Sequence, residues 1–264
     1  MHKVTIVTGP LRSGTSCVTG LLELCGFDLG KNVRILRNPT PMNPRGHFEP
    51  DLLFTVNERL LFESGEEQNG IFTPPATADL MALAADRERY FRLFINKFDG
   101  ELCKDPLLCL TLAAWRLYWP ELQRAIFCLR HPLAVALSMR DRYGLSLMAG
   151  MTLWEHYTLR FLEGSSGMAA FIFDFDQFCR EPLPKFGDLL QWLGCPMAAA
   201  DLRNIMNDFF LPRYAAWDFN QTVWDEAPAP VKNLYDMLTR ATGDLANAAD
   251  VLGCRRENEG TLNG

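Results

Sequence analysis

No run of apolar residues in this 264-residue chain is long enough to cross a bilayer. A basic surplus is also missing: 26 lysines and arginines face 32 aspartates and glutamates, for a net charge of −6. That balance excludes a general nucleic-acid binder, while leaving room for a local basic pocket around one small anion. The eight cysteines (Cys17, Cys25, Cys103, Cys109, Cys128, Cys179, Cys195 and Cys254) include no CxxC pair and no zinc-ligand spacing. The four histidines are scattered, so no metal site is expected. Most cysteines sit in apolar segments such as Ile126–Leu129, as reduced, buried thiols of a cytoplasmic protein do. A secretory leader is not expected either, because the chain enters the strand-like run Val4–Val7 almost at once. There is no internal repeat and no linker composition. Residues 1–253 therefore read as one domain, and 254–264, polar and rich in Gly and Asn, as a frayed tail.

What remains is a globular composition, 48% hydrophobic and 22% charged. Short apolar runs at Lys3–Thr8, Leu102–Lys104, Ala125–Leu129 and Ala169–Phe175 alternate with helical periodicity. Helices are expected over Ser16–Cys25, Asp51–Phe62, Met81–Phe98, Pro106–Trp119, Leu133–Arg142, Thr152–Glu163 and Leu183–Trp192. Such alternation predicts an α/β fold of three layers, with a mostly parallel central sheet between helices. Ligands in these folds sit beyond the carboxyl ends of the strands. Gly30–Pro50, rich in Pro, Asn and Arg, reads as a long functional loop, and Pro212–Pro230 as irregular.

The first strand runs into Gly9-Pro10-Leu11-Arg12-Ser13-Gly14-Thr15-Ser16 and then a helix. The two glycines have P-loop spacing, in which backbone N–H groups and a helix N-terminus close around a phosphate. A nucleotide triphosphatase would carry lysine after the second glycine; here Thr15 stands there, and the basic residue lies inside the loop at Arg12. Without that lysine the loop is poorly equipped for metal-assisted γ-phosphoryl transfer. It can still hold a shorter anion. A second anion site is predicted at the end of Ala125–Leu129. There Arg130 can grip a phosphate through two N–H groups, and Ser138 follows on the next helix.

With these two elements the chain resembles the sulfotransferases that use 3′-phosphoadenosine 5′-phosphosulfate (PAPS). Their first loop has the form P-K/R-S-G-T-S/T, and an arginine and a serine eight positions apart bind the 3′-phosphate. Pro10 to Ser16 and Arg130 with Ser138 match these, apart from Leu11 inserted after Pro10. Asn43–Glu49 is similar to the N-P-x-G-x-F/W-E segment of bacterial members, Lys104-Asp105-Pro106 to their K-D/S-P turn, and Phe173–Phe178 to their strand-to-helix element. The likeness runs from about Lys3 to Gly194. The animal cytosolic enzymes have lysine where Arg12 stands, and a basic Gly-rich segment at the end where this chain has Arg255-Arg256.

The resemblance implies a PAPS-dependent sulfotransferase with no metal. PAPS would be held by Arg12, Ser13, Gly14, Thr15, Ser16, Arg130 and Ser138, and a small-molecule or glycan acceptor would be sulfated. Arg12 and Lys104 would stabilise charge on the transferring group; Glu49 would take the acceptor proton, with His47 in reserve and Asp105 third. Two other readings stay open. One is a P-loop kinase or nucleotide hydrolase using Gly9–Ser16, with Asp174 or Asp176 on magnesium; the other is a non-catalytic nucleotide sensor. His131 is expected to shape the Arg130 loop, and His156 to pack a helix or line the acceptor site. Some of Phe48, Phe54, Trp115, Trp154, Tyr157, Trp217 and Trp224 are expected to line it as well.

Overall fold

The computed structural model describes residues 3–41, 43–64, 70–210 and 219–245. Four parallel strands, β1 (Val4–Thr8), β4 (Leu102–Lys104), β5 (Leu122–Leu129) and β6 (Ala169–Asp174), form the sheet. A fifth, β7 (Gly243–Leu245), pairs antiparallel with β6, giving the order β4-β1-β5-β6-β7. Each parallel strand is short and buried on both faces, hence the near-continuous apolar runs. Alternate residues feed different cores. Ala125, Phe127 and Leu129 of β5 pack to one side, Ile126 and Cys128 to the other.

The first side is covered by α2 (Asp51–Glu63), α3 (Thr77–Asp86), α4 (Glu88–Ile95), α5 (Leu108–Arg116), α6 (Pro132–Tyr143), α7 (Leu147–Gly164) and α12 (Ala229–Arg240). The second is covered by α1 (Thr15–Leu24), α8 (Phe175–Arg180), α9 (Pro182–Trp192) and α10 (Ala199–Phe209). This is the three-layer α/β architecture expected. Among the described residues, no helix is long and apolar enough to cross a membrane.

Several boundaries differ from expectation for local reasons. The single helix expected over Met81–Phe98 is two, broken at Arg87 (φ −117°, ψ 21°). The charged run Asp86–Arg89 has nothing apolar to bury across the joint, whereas the bend lets Phe91 and Phe94 meet Trp115 edge-on. The helix after Lys104 starts at Leu108 rather than Pro106, because Asp105 Oδ1 accepts from the Leu107 N–H (2.9 Å) and holds a turn there. Ser146 caps α7 by accepting from the Ala149 N–H, so that helix begins well before Thr152. The segment read as irregular contains α11 (Gln221–Asp225) and the start of α12; residues 211–218 and 246–264, including the tail expected to fray, lie outside the described residues.

Candidate active site

The loop from Gly9 to Ser16 joins β1 to α1 at the carboxyl edge of the sheet. Gly14 is the N-cap of α1 in the left-handed conformation (φ 91°). A Cβ there would lie 2.4 Å from the Phe175 ring, so only glycine fits this turn. Arg12 also adopts a left-handed backbone (φ 72°), an uncommon state for a residue with a Cβ. Its Nε donates to Ser138 Oγ (3.0 Å), and burial lowers the pKa of its guanidinium.

Lys104, at the end of β4, is 1% exposed. An ammonium has three donors, and here Nζ donates to three oxygens. They are Glu49 Oε1 (2.5 Å), Ser16 Oγ (3.1 Å) and the His47 carbonyl (3.1 Å). This cation therefore ties the phosphate-type loop to the Gly30–Pro50 segment. That segment is not wholly irregular: β2 (Ile35–Leu36) pairs antiparallel with β3 (Glu49–Pro50), setting Leu36 opposite Glu49. Phe48 takes a left-handed backbone (φ 64°), its N–H donating to the Leu36 carbonyl (2.8 Å) and its ring buried near Phe209. Glu49 does not cap the helix that follows it: the N-cap of α2 is Pro50, and no side chain caps it.

His47 Nδ1 stands 3.9 Å from Glu49 Oε2. Thr40 Oγ1 and Asn43 Nδ2 lie at its two ring nitrogens (3.4 and 3.0 Å). Burial lowers the His47 pKa, Glu49 pulls it back up, and Lys104, Arg12 and Arg142 lower it again; the net shift is downward, so the ring is neutral at pH 7.

Behind Lys104 lies a second carboxylate, Asp105, with no exposure. Asn57 Nδ2 donates to its Oδ2 (2.8 Å). Asn57 Oδ1 in turn accepts from Thr111 Oγ1 and Trp115 Nε1, which fixes the amide's orientation. Burial first, and the Glu49 charge second, raise the Asp105 pKa to about 7. Asn57 was not singled out in the sequence, although an asparagine on the apolar face of α2, between Leu53, Val56 and Leu60, is the signal that could have marked it.

At the end of β5, Arg130 Nη1 donates to the Arg12 carbonyl (2.9 Å), and the guanidinium lies over the Phe175 ring. Asp176 stands 4.0 Å from Arg130 Nε, and its Oδ2 accepts from the His131 N–H. Asp174 caps α8, accepting from the Gln177 N–H (2.8 Å). Both aspartates of the magnesium reading thus have other work, and neither lines the cavity beside the Gly9–Ser16 loop. His131 does shape the Arg130 turn: its Nδ1 accepts from the Leu133 N–H, and its ring packs among Phe219, Trp224 and Tyr235. His156 is exposed on α7 and lies neither in the cavity beside the Gly9–Ser16 loop nor in the groove that holds Ser138.

A cavity of about 350 Å³ gathers Arg12, Gly14, Thr15, Ser16 and Lys104 with His47, Glu49 and Arg130. Ser13 is not in its wall; the side chain is buried under Gly9 with no hydrogen-bond partner among the described residues. Ser138 lies in an adjoining groove of about 490 Å³ with Leu133, Leu147, Asn220 and Val223, and Arg130 belongs to both spaces. Of the aromatics singled out, Phe54 lines the cavity; Trp217 lies outside the described residues. Arg45 and Tyr143 were missed. Arg45 bonds the carbonyls of Asp208 and Phe209 (2.6 and 3.3 Å) and pins the loop to α10. Among the described residues no cluster of side chains suits a metal ion.

No family model and no curated protein sequence matches the chain. Among solved structures, a sulfotransferase domain from the curacin biosynthetic pathway is similar over 90% of this chain and 98% of that domain, with 15% identity and a TM-score of 0.50. The chain has the sulfotransferase fold. More distant are the sulfotransferase domain of the Synechococcus PCC 7002 olefin synthase (14% identity, 90% and 94% covered, TM-score 0.47) and a sulfotransferase of Mycobacterium tuberculosis H37Rv (14%, 78% and 71%, TM-score 0.45). In the sulfotransferase fold of this chain, the Gly9–Ser16 loop, the His47–Glu49 segment and Lys104 converge on one cavity from three separate stretches of sequence.

Proposed function

We propose that this protein transfers a sulfuryl group from PAPS to a hydroxyl or amine of a small-molecule or glycan acceptor, without a metal ion. The observation that carries the reading is the bonding of buried Lys104 to Ser16 and Glu49 at the mouth of a loop that has no Walker lysine. The phosphosulfate would lie against Gly14, Thr15 and Ser16, with Arg12 and Lys104 facing the charge that develops as the S–O bond to phosphate breaks. Arg130 and Ser138 would take the 3′-phosphate in the adjoining groove, which explains why Arg130 is shared by the two spaces. The acceptor oxygen or nitrogen forms the new bond to sulfur, its proton passes to a base, and adenosine 3′,5′-bisphosphate leaves.

His47 suits the base better than Glu49. The Glu49 carboxylate is committed to Lys104, whereas the neutral, half-buried imidazole opens on the cavity and has Glu49 beside it to stabilise its charged form. Glu49 is then the positioning residue for Lys104.

Two binding experiments test the donor. Adenosine 3′,5′-bisphosphate without magnesium should raise the melting temperature, and ATP with magnesium should raise it far less. The reverse order would favour the kinase reading, and no response to either nucleotide would leave neither standing. Arg130→Ala should weaken the bisphosphate by about 1.5–3 kcal/mol, the worth of a charge-assisted contact, and adenosine 5′-monophosphate by much less. Equal losses in calorimetry would show that Arg130 supports the Arg12 turn and does not read the 3′-phosphate.

A further inference from the structure

Asp105 has no part in the transfer just described, yet its backbone and side chain are held from three elements. Thr8 Oγ1 at the end of β1 donates to its carbonyl (2.9 Å), Asn57 of α2 to Oδ2, and the Leu107 N–H to Oδ1. Its neighbours in the chain, Lys104 and Pro106, both line the cavity. The buried cluster is therefore two carboxylates and one ammonium. The other cations of the cavity, Arg12, Arg130 and Arg45, are bonded to Ser138 Oγ, to the Arg12 carbonyl and to the carbonyls of Asp208 and Phe209 rather than to Asp105. The other titratable groups facing Asp105 do not change charge in its place. Burial holds the thiols of Cys103 on β4 and Cys109 on α5 in their neutral form, the latter with its pKa near 12, and does the same for the Tyr157 phenol on α7. Glu49 is bonded to Lys104, and Asn57 and Thr8 do not titrate.

A phosphosulfate entering beside Lys104 brings further negative charge next to the fully buried Asp105, and the cheapest response is neutralisation of the carboxylate with no cation bonded to it. Resting on the donor reading above, we propose that Asp105 takes up a proton when the anionic donor binds, leaving Glu49 as the one ionised carboxylate beside Lys104. Donor affinity is then linked to pH through a residue that never touches the donor. Burial already raises the Asp105 pKa toward neutrality in the free protein, so binding takes up a fraction of a proton near pH 7, and affinity falls as pH rises, by at most about tenfold per pH unit.

Adenosine 5′-phosphosulfate is the probe, because its phosphosulfate has no group that titrates near neutrality. Titration calorimetry in two buffers of different ionisation enthalpy reads the protons exchanged. Wild type should show uptake, Asp105→Ser should show none, and His47→Gln should keep it. The serine hydroxyl can still accept from the Leu107 N–H; Asp105→Asn serves as the second variant, and melting temperatures identify whichever is folded. Uptake that survives in the folded Asp105 variant, or that vanishes in His47→Gln, overturns the proposal. Tight binding with no proton exchange in wild type also overturns it, while leaving the donor reading intact. If neither this nucleotide nor the bisphosphate binds at any pH, both fall together.

Discussion

Replacing Lys104 by methionine should lower turnover by about 10²–10³-fold, the range for removing one preorganised charge from a transition state. It should also destabilise the fold by about 3–5 kcal/mol, because it strands the buried Glu49 carboxylate without its cation. The two effects separate in a double variant. Lys104→Met with Glu49→Gln removes both charges together, and a neutral pair in the same space should recover most of the lost stability. Turnover should not recover, since the group facing the leaving phosphate is still absent. Unfolding in urea gives the first quantity. The rate of bisphosphate release from PAPS gives the second, and slow transfer to water serves where no acceptor is at hand. If the double variant regains activity along with stability, Lys104 only holds the Gly30–Pro50 segment in place and the charge is supplied by Arg12.

The Lys104–Glu49 pair also marks the limit of what the amino-acid order reveals. Features written over a few neighbours were legible: four buried strands from unbroken apolar runs, the loop from two glycines at fixed spacing, and the helix starts after Arg130 and Pro50. What joins residues far apart was not. Lys104 and Glu49 are 55 positions apart and Arg12 and Ser138 are 126 apart, and no periodicity connects either pair. The roles shifted accordingly. Ser138 looked like a partner of Arg130 through its spacing, whereas in this structure it accepts from Arg12. Ser13 looked like part of the cradle, but its hydroxyl turns under Gly9. The C-terminal third was the least legible. α10 and β7 went unrecognised, and α11 and the start of α12 lay in a segment read as irregular, since proline and asparagine there obscure short amphipathic stretches. Asn57 falls between these cases, visible as a polar residue on an apolar helix face but silent about its partner.

Comparing His47→Gln with Glu49→Gln should decide which side chain takes the acceptor proton. Glutamine at 47 can still hydrogen-bond near Thr40 and Asn43 but cannot accept a proton at neutral pH, so turnover should fall by about 10²–10⁴-fold with an alkyl alcohol. The melting temperature should hardly change, because His47 is half exposed and no buried charge is left behind. Acceptor acidity is the sharper probe. A base matters most for a reluctant proton, so the loss should shrink across a series running from alkyl alcohols to nitrophenols that ionise unaided. The wild-type pH profile should fall on the acid side as His47 protonates, below the ordinary histidine value of 6.5, because its pKa is lowered. That limb should be absent in His47→Gln. Glu49→Gln should behave differently on every count. It loosens Lys104 and lowers the melting temperature, and its loss depends less on the acceptor than that of His47→Gln, since most of it lies at the leaving group and only the part from the charge beside His47 lies at the base. If the acceptor dependence appears in Glu49→Gln and not in His47→Gln, the carboxylate gives up Lys104 during turnover and is itself the base.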